Sequence, residues 1–417
     1  MMRRTRKIAL IGPYGFGNLG DAAIQQAMIE NIRKRLPEAE IYGVSLNPSD
    51  TQARHGIPSF PISRTTGEGM FRESYTEARA LGSAFFKRVM HVLARVALEF
   101  RVQWRTFRNL RGITDLIVSG GGQLDDYWGG PFAHPYTLLK WALLARLRGA
   151  RVSFVSVGAG PINSSLSAFF IKRALSLAWY RSYRDTRSAG LMSSLGFDRG
   201  DRVYPDLAHS LTFASNGKPN AALATRLTIG VGPMAYFEYS WPERDARVYH
   251  TYLAKLSTFV AWALGQGHTV RLFPGEAGAD KDVIRDLKQE VQRQIGSVDP
   301  ARLISHPIET VDELLRELQE ADVVVGSRFH GVLLAHLVGV PVVALSYHQK
   351  IDMLMKDMGH ADYCLDIQHF TGEELLDRFI RMTRVLAEKR AQVIETERNY
   401  RARLDEQYTH IFSDSQP

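Results

Sequence analysis

The stretch ADVVVGSRFHGVLLAHLVGVPVVALSYHQK, residues 321–350, decides the fold. Its apolar run at 322–326 is too short for a helix and is bounded by glycine, which marks a strand buried on both faces. The strand delivers Ser327, Arg328 and His330 to a helix start, and Gly331 opens the helix. Gly339-Val340-Pro341 then turns the chain into a second apolar strand, which ends at Ser346-Tyr347-His348-Gln349-Lys350. Strand, helix and strand at this spacing make a parallel βαβ unit. Arg328 and Lys350 therefore emerge at neighbouring strand ends with His330 nearby, an arrangement suited to holding an anion beside a group that titrates near neutrality. His336 falls in mid-helix and reads as structural.

The same alternation of short apolar runs and longer helical patterns extends in both directions. Strands are expected at 7–11, 40–45, 115–119, 151–156 and 181–185, with helices near 21–35, 73–110, 134–148, 165–179 and 187–195. Around 214–226 (ASNGKPNAALATR) the pattern lapses into small, polar and turn-forming residues, as a linker does. A second series follows, with strands at 227–232, 268–273, 302–305, 322–326, 341–346 and 363–367. Its helices are expected at 244–265, 280–295, 310–320, 331–338 and 350–358, and in a last pattern from 371 to about 411.

A chain of 417 residues exceeds the size at which one core stops growing, so two domains are expected. The expected architecture is α/β, with two doubly wound Rossmann-like domains facing a cleft, as in GT-B enzymes. We divide it into an N-terminal domain over 1–215 on the acceptor side, carrying a basic helical insertion at about 64–112, a C-terminal domain over 216–385 on the donor side, and a C-terminal helix and tail over 386–417.

Two further motifs stand at strand ends in the first half. GPYGFGNLGDAAI, residues 12–24, follows the first strand and opens a helix whose free N–H groups suit an anion. Gly15 to Gly20 match the nucleotide spacing G-x-G-x-x-G, yet no residue at the usual offset confirms a ribose contact, and a turn capped by Asp21 accounts for the residues equally well. DLIVSGGGQLDD, residues 115–126, ends a strand in three glycines, and VSVGAGPI, residues 155–162, repeats the design. Three such ends make a shared binding wall a better reading than three unrelated turns.

Composition narrows the function classes. The hydrophobic fraction is 45% and the charged fraction 23%, values of an ordinary folded protein. Formal net charge is +8, but the positive excess is concentrated in residues 1–7 and 85–111, which argues against a nucleic-acid partner. One cysteine, Cys364, excludes an internal disulfide and a multi-cysteine zinc site, and the histidines form no HxH or HxxxH pair, so no metal and no cofactor are expected. The start does not read as a signal peptide, and no stretch approaches the ~18 to 20 apolar residues that span a bilayer. A cytoplasmic protein is expected. Residues 85–111 form an amphipathic pattern, with Phe86, Val89, Leu93, Val96, Phe100, Trp104 and Phe107 on one face and arginines on another. It reads either as an ordinary packed helix or as a peripheral contact with the inner face of a membrane.

Together these residues resemble the polysaccharide pyruvyl transferase family. The resemblance rests on Gly12 to Asp21, on GGG-x-L-x-D at Gly120 to Asp126, on Arg184-Asp185 with Ser188, Leu195-Gly196 and Pro205-Asp206, and on Ser327 to Gly331 with Gly339-Val340-Pro341 and Lys350. Ala22-Ala23 departs from it where an acidic residue often follows the aspartate, and the long basic insertion is not required by these motifs. The resemblance implies a GT-B-like fold and transfer of pyruvate from phosphoenolpyruvate, as a ketal, to hydroxyls of a cell-surface polysaccharide or its lipid-linked precursor. It implies His330 as catalytic acid or base, and Arg328, Lys350, Ser327 and Gly331 around the donor. Gly17, Asn18, Gly20, Asp21, Gly121, Gly122, Arg184 and Asp206 would serve the acceptor or order its loops. The alternatives are a GT-B glycosyltransferase using a nucleotide sugar, for which Glu309 and Glu317 have the E-x7-E spacing, and a non-catalytic scaffold at the membrane.

Overall fold

The computed structural model describes residues 5–15, 17–63, 99–127, 129–214, 226–238 and 244–413. The chain divides into two compact units. One comprises Met1–Phe16, Ile24–Ser210 and Arg403–Pro417, the other Gly17–Ala23 and Leu211–Ala402.

The first unit is built on strands β1 (Lys7–Ile11), β2 (Glu40–Ser45), β3 (Ser59–Pro61), β4 (Asp115–Ser119), β5 (Gly122–Leu124), β6 (Arg151–Ala159), β7 (Tyr180–Tyr183) and β8 (Arg202–Val203). Their order is β3-β2-β1-β4-β6-β7-β8, with β5 on β6, and these pairings are parallel. The second unit holds β9 (Thr228–Gly232), β10 (Thr269–Leu272), β11 (Leu303–Ile304), β12 (Val323–Gly326), β13 (Val342–Ser346) and β14 (Cys364–Asp366), in the order β11-β10-β9-β12-β13-β14, again parallel. Strand order reverses beside β1 and beside β9, so each unit is a doubly wound Rossmann-like sheet. The apolar runs explain why. All five residues of β4, all four of β12 and all five of β13 are buried, as strands covered on both faces must be.

Buried charge is compensated where it occurs. Asp115, 4% exposed at the start of β4, accepts from Arg6 Nε and Nη2 at 3.1 and 2.9 Å and from Arg151 Nε at 3.0 Å, tying β1, β4 and β6 together. Gln407, fully buried near the C-terminus, accepts from Ser182 Oγ at 2.6 Å and from Tyr180 Oη at 3.1 Å. This polar docking places the end of helix Leu386–Phe412 in the first unit.

Several elements differ from the sequence expectation. Strand β6 runs on to Ala159, through the small residues read as its terminus. Strands β3, β5 and β8 and the helix Pro48–His55 were not expected, because two- or three-residue strands and a polar single-face helix carry almost no periodic signal. The last helical pattern is two helices, Gly372–Arg384 and Leu386–Phe412, interrupted at Val385. Residues 17–23 cluster with the second unit and 403–417 with the first, whereas the sequence boundaries kept 1–215 together and set 386–417 apart. Most of the linker pattern (215–225) and of the basic insertion (64–98) lies outside the described residues; 99–109 are helical.

One buried histidine links this core to pH. His360 is fully buried, with its ring 5.2 Å from that of His336, and burial together with the Lys389 charge lowers its pKa from 6.5 to about 4. An unfolded chain takes up this proton below pH 6.5, whereas the folded one resists it until about 4. Stability is therefore complete above 6.5 and declines as pH falls, by an amount on the order of 3 kcal/mol at the acid end. Denaturant unfolding at stepped pH should show that slope, and His360→Phe should reduce it between pH 6.5 and 4, leaving the part due to His55 and His134, which burial likewise lowers to about 4. An unchanged slope in the variant would assign the acid lability elsewhere.

Candidate functional site

The second unit gathers its chemistry at the ends of β10, β12 and β13. Ser327, just after β12, is buried, and its Oγ lies 2.9 Å from Tyr252 Oη, which also accepts from the Met234 N–H at 3.3 Å. Burial pushes the Tyr252 phenol up to about 12. Ser327 thus anchors the strand end to helix Ala246–Gly265.

Arg328 caps helix Phe329–Leu337 in extended backbone geometry (φ −85°, ψ 135°). Its Nε and Nη2 make a fork onto Asp280 at 3.0 and 2.8 Å, and Nη2 also lies 2.8 Å from Glu276 Oε2. Asp280 has no exposed surface and takes three backbone N–H bonds, from Ala235, Gly275 and Glu276 at 3.3, 3.0 and 2.8 Å. Burial works against the Arg328 charge, but the two carboxylates outweigh it and raise its pKa above the usual value. The expected open, anion-seeking guanidinium is thus largely engaged within the protein. Its Nη1 has no hydrogen-bond partner among the described residues.

Glu276 itself is shifted upward, first by burial and then by the Asp280 charge, with Arg328 opposing. Its carboxyl holds a proton more readily than an ordinary glutamate, a property found at sites of proton transfer.

The loop bearing Glu276 is held by the early glycine motif. Asn18 and Glu276 form an antiparallel bridge, the Leu19 N–H donates to Gly275 O at 3.3 Å, and the Ala277 N–H donates to Gly17 O at 2.9 Å. Asn18 Oδ1 accepts from the N–H groups of Gly20 (2.9 Å) and Asp21 (3.3 Å), capping helix Leu19–Arg35, and Asp21 in its first turn complements the helix dipole. Gly20 has the sharpest requirement. A Cβ there would lie 1.8 Å from His330 Nδ1, so the imidazole packs directly on the glycine backbone. His330 also meets the Phe329 ring edge-on at 5.0 Å between centroids.

Lys350 lies in the first turn of helix Gln349–Asp357, where His348 Nδ1 accepts its backbone N–H at 3.2 Å. Its Nζ stands 5.4 Å from the centre of the Phe329 ring and 5.6 Å from that of Tyr347, and it forms no ion pair among the described residues. His330 and Lys350 are thereby grouped around the Phe329 ring, and Arg328 precedes that residue in the chain with its guanidinium on Asp280 and Glu276. Gly331 is buried in the helix, where a Cβ would make only ordinary contact with Phe273 and Arg328.

The first unit uses its motif residues differently. Gly121 O accepts from the Gly158 N–H at 2.7 Å, and Gly122 begins β5, so the triple glycine stitches β4 to β6. Arg184 lies across Gly158, where a Cβ would come within 2.6 Å of Nη2, and pairs through Nη1 with Asp206 at 3.3 Å. Asp206 is 3% exposed and caps the Ala208 N–H at 3.1 Å. Gly121, Gly122, Arg184 and Asp206 thus order loops within the first unit, while Gly17, Asn18, Gly20 and Asp21 join the His330 group in the second. Glu317 makes a two-point bond to Arg271 at 2.8 and 2.9 Å, and Glu309 an exposed pair with Lys281 at 3.2 Å, so the E-x7-E spacing is used for packing and surface contacts. Glu276 and Asp280 were missed in the sequence. Their signal was present in PGEAGAD, residues 274–280, a further glycine-rich strand end. Among the described residues no group of three or more His, Cys, Asp or Glu side chains is placed to hold a metal ion.

The fold is that of GT-B proteins. At TM-scores of 0.56, 0.53 and 0.51 it is similar to the S. aureus MnaA-UDP co-structure (11% identity, 99% of each chain covered), the glycotransferase of kitacinnamycin (14% identity, 97% of this chain and 100% of the other) and an α,α-trehalose-phosphate synthase from Burkholderia vietnamiensis (11% identity, 100% and 99%). A search of curated protein sequences returned no match. The family model described as polysaccharide pyruvyl transferase matches residues 18–349, and the chain belongs to that family. The matched span includes the Asn18, Glu276, Arg328 and His330 cluster.

The contact between Gly20 and His330 can be measured. Gly20→Ala should destabilise the fold by about 1 to 3 kcal/mol, the usual cost of overpacking. In a His330→Ala background the same change should cost less, because the imidazole is gone and only the Cβ of residue 330, 2.6 Å from the new methyl position, still crowds it. Additive effects in this double-mutant cycle would show that the two residues do not touch.

Proposed function

We propose that the protein transfers a pyruvyl group from phosphoenolpyruvate to hydroxyls of a sugar in a cell-surface polysaccharide or its lipid-linked precursor, forming a ketal on the cytoplasmic side of the membrane. The observation that carries this reading is the grouping of His330 and Lys350 around the Phe329 ring, with Arg328, the residue before it, paired to Glu276. Phosphoenolpyruvate bears a phosphate of about −1.5 to −2 charge and a carboxylate, and its binding needs cations that are not already neutralised. Lys350 meets that need, and Arg328 adds the N–H of Nη1 while its other donors position the Glu276 loop.

The chemistry then balances as follows. A proton adds to the methylene carbon of the donor, C2 becomes electrophilic, and a sugar hydroxyl attacks it and gives up its proton. The C2–O bond to phosphate breaks, and a second hydroxyl adds at C2, its proton leaving with phosphate. His330 serves as acid or base in this sequence, and Glu276, inclined to hold a proton, is the second group able to carry one.

Incubation with phosphoenolpyruvate and candidate glycolipids should release phosphate and yield a product heavier by one pyruvate less one water. Turnover with a nucleotide sugar, and none with phosphoenolpyruvate, would transfer the assignment to glycosyl transfer. His330→Ala should lower kcat by ~10²- to 10⁴-fold. Lys350→Ala should chiefly raise KM for phosphoenolpyruvate, with partial recovery in Lys350→Arg. Near-normal turnover in both alanine variants would leave a non-catalytic scaffold as the better reading.

A further inference from the structure

Three neighbouring segments of the first unit carry an unusual surface. Helix 99–109 meets helix His134–Leu147 through Gln103 Nε2 to Tyr136 Oη at 2.8 Å, Lys140 Nζ to Glu99 at 3.8 Å, and the Arg148 guanidinium 3.4 Å from the centre of the Phe107 ring. Helix Ser165–Ser176 joins them through Phe170, whose ring lies 5.8 Å from Tyr136 and 5.9 Å from Phe132. Against this secure packing, large apolar side chains stand in solvent. Phe132 is 70% exposed, Phe100 68%, Leu147 66% and Trp104 56%, and Phe169 and Leu143 are exposed on the same helices. Leu166 on helix Ser165–Ser176 and Tyr127, shortly before Phe132, are exposed as well, whereas Ile295 and Ile394 stand singly elsewhere in the described residues.

The exposed charge on these three helices is positive apart from Glu99. Arg101, Arg105 and Arg108 are exposed beside Phe100 and Trp104, Arg146 beside Leu143 and Leu147, and Arg173 lies on the helix that carries Phe169. The one acidic residue of these three helices within the described chain, Glu99, is occupied by Lys140 and Tyr136. Bulky apolar and aromatic tips standing among arginines match the boundary of a bilayer, where rings enter the headgroup layer and guanidinium groups stay at the phosphates. Aromatic residues and arginine also occur at protein interfaces, but two copies of this face would bring like charges together across a two-fold contact. Nor is a bilayer-spanning segment involved, since no helix among the described residues is long and apolar enough to cross a membrane.

We propose that this face, formed by helices 99–109, His134–Leu147 and Ser165–Ser176, docks the protein peripherally on an anionic lipid surface. The contact is independent of donor chemistry and holds whichever group the enzyme transfers. Cosedimentation of the full chain with vesicles of phosphatidylcholine containing phosphatidylglycerol should show binding at low salt, weaker binding at high salt and little binding to phosphatidylcholine alone. Phe100→Ser with Trp104→Ser, and separately Arg101→Gln with Arg105→Gln and Arg108→Gln, should each lower the partition coefficient at least tenfold while circular dichroism stays unchanged. Lipid brominated near the headgroup should quench tryptophan fluorescence in the parent and quench it less in Trp104→Phe. Absence of binding at low salt, equal binding to neutral vesicles, or retained binding in both variant sets would overturn the proposal. It would equally fail if light scattering showed a dimer that the Phe100 and Trp104 changes dissociate while vesicle binding persists, because the face would then join two copies of the chain.

Discussion

Asp280 holds a carboxylate with no contact with solvent, and the geometry of the second unit follows from how that charge is satisfied. An isolated buried carboxylate would cost several kcal/mol and would protonate instead. Here it meets a two-point guanidinium and three backbone N–H groups. Those donors come from three places in the chain: the turn after β9, the loop after β10 and the start of the helix after β12. One carboxylate therefore fixes three strand ends against each other. The loop it fixes then pairs with residues 17–19, which sets Gly20 beneath the His330 ring. Placement of the imidazole thus depends on a charge in another part of the sequence, and hardly at all on the intrinsic preferences of the helix that carries it.

This dependence marks what could be read in the sequence. Strands such as Asp115–Ser119 and Val342–Ser346 were legible because full burial on both faces demands an unbroken apolar run. That Arg328, His330 and Lys350 follow strands at one sheet edge was legible, because strand ends in a parallel sheet lie together. Glu276 and Asp280 were not. Their partner Arg328 stands 48 residues from Asp280 and still farther from Glu276, and no local pattern tells a carboxylate that neutralises an arginine from one that faces water. The assignment of Gly17–Ala23 to the second unit was hidden for the same reason, since it follows from a bridge to Glu276 that only the folded chain brings into register. Short elements such as β5 and β8 escaped on a different ground: two or three residues carry no period.

The two cations assigned together to an anion from the sequence differ in what remains of their charge. Arg328 is matched by two carboxylates, so its neighbourhood is close to neutral or negative and its value lies in rigid planar geometry. Lys350 rests against the faces of Phe329 and Tyr347. An aromatic face steadies an ammonium group by about 0.5 to 1 kcal/mol at a solvent-accessible site without cancelling its charge. A lysine so held keeps a full positive charge in a defined place, ready for an anion, whereas a carboxylate partner would have to be displaced first. The same ring that steadies Lys350 lies edge-on to His330, so any anion drawn to the ammonium group arrives close to the imidazole. Fixing one cation in the protein's own ion pair and leaving the other on aromatic rings separates two tasks that a single arginine could not perform together: building the loop, and the anion binding proposed for Lys350.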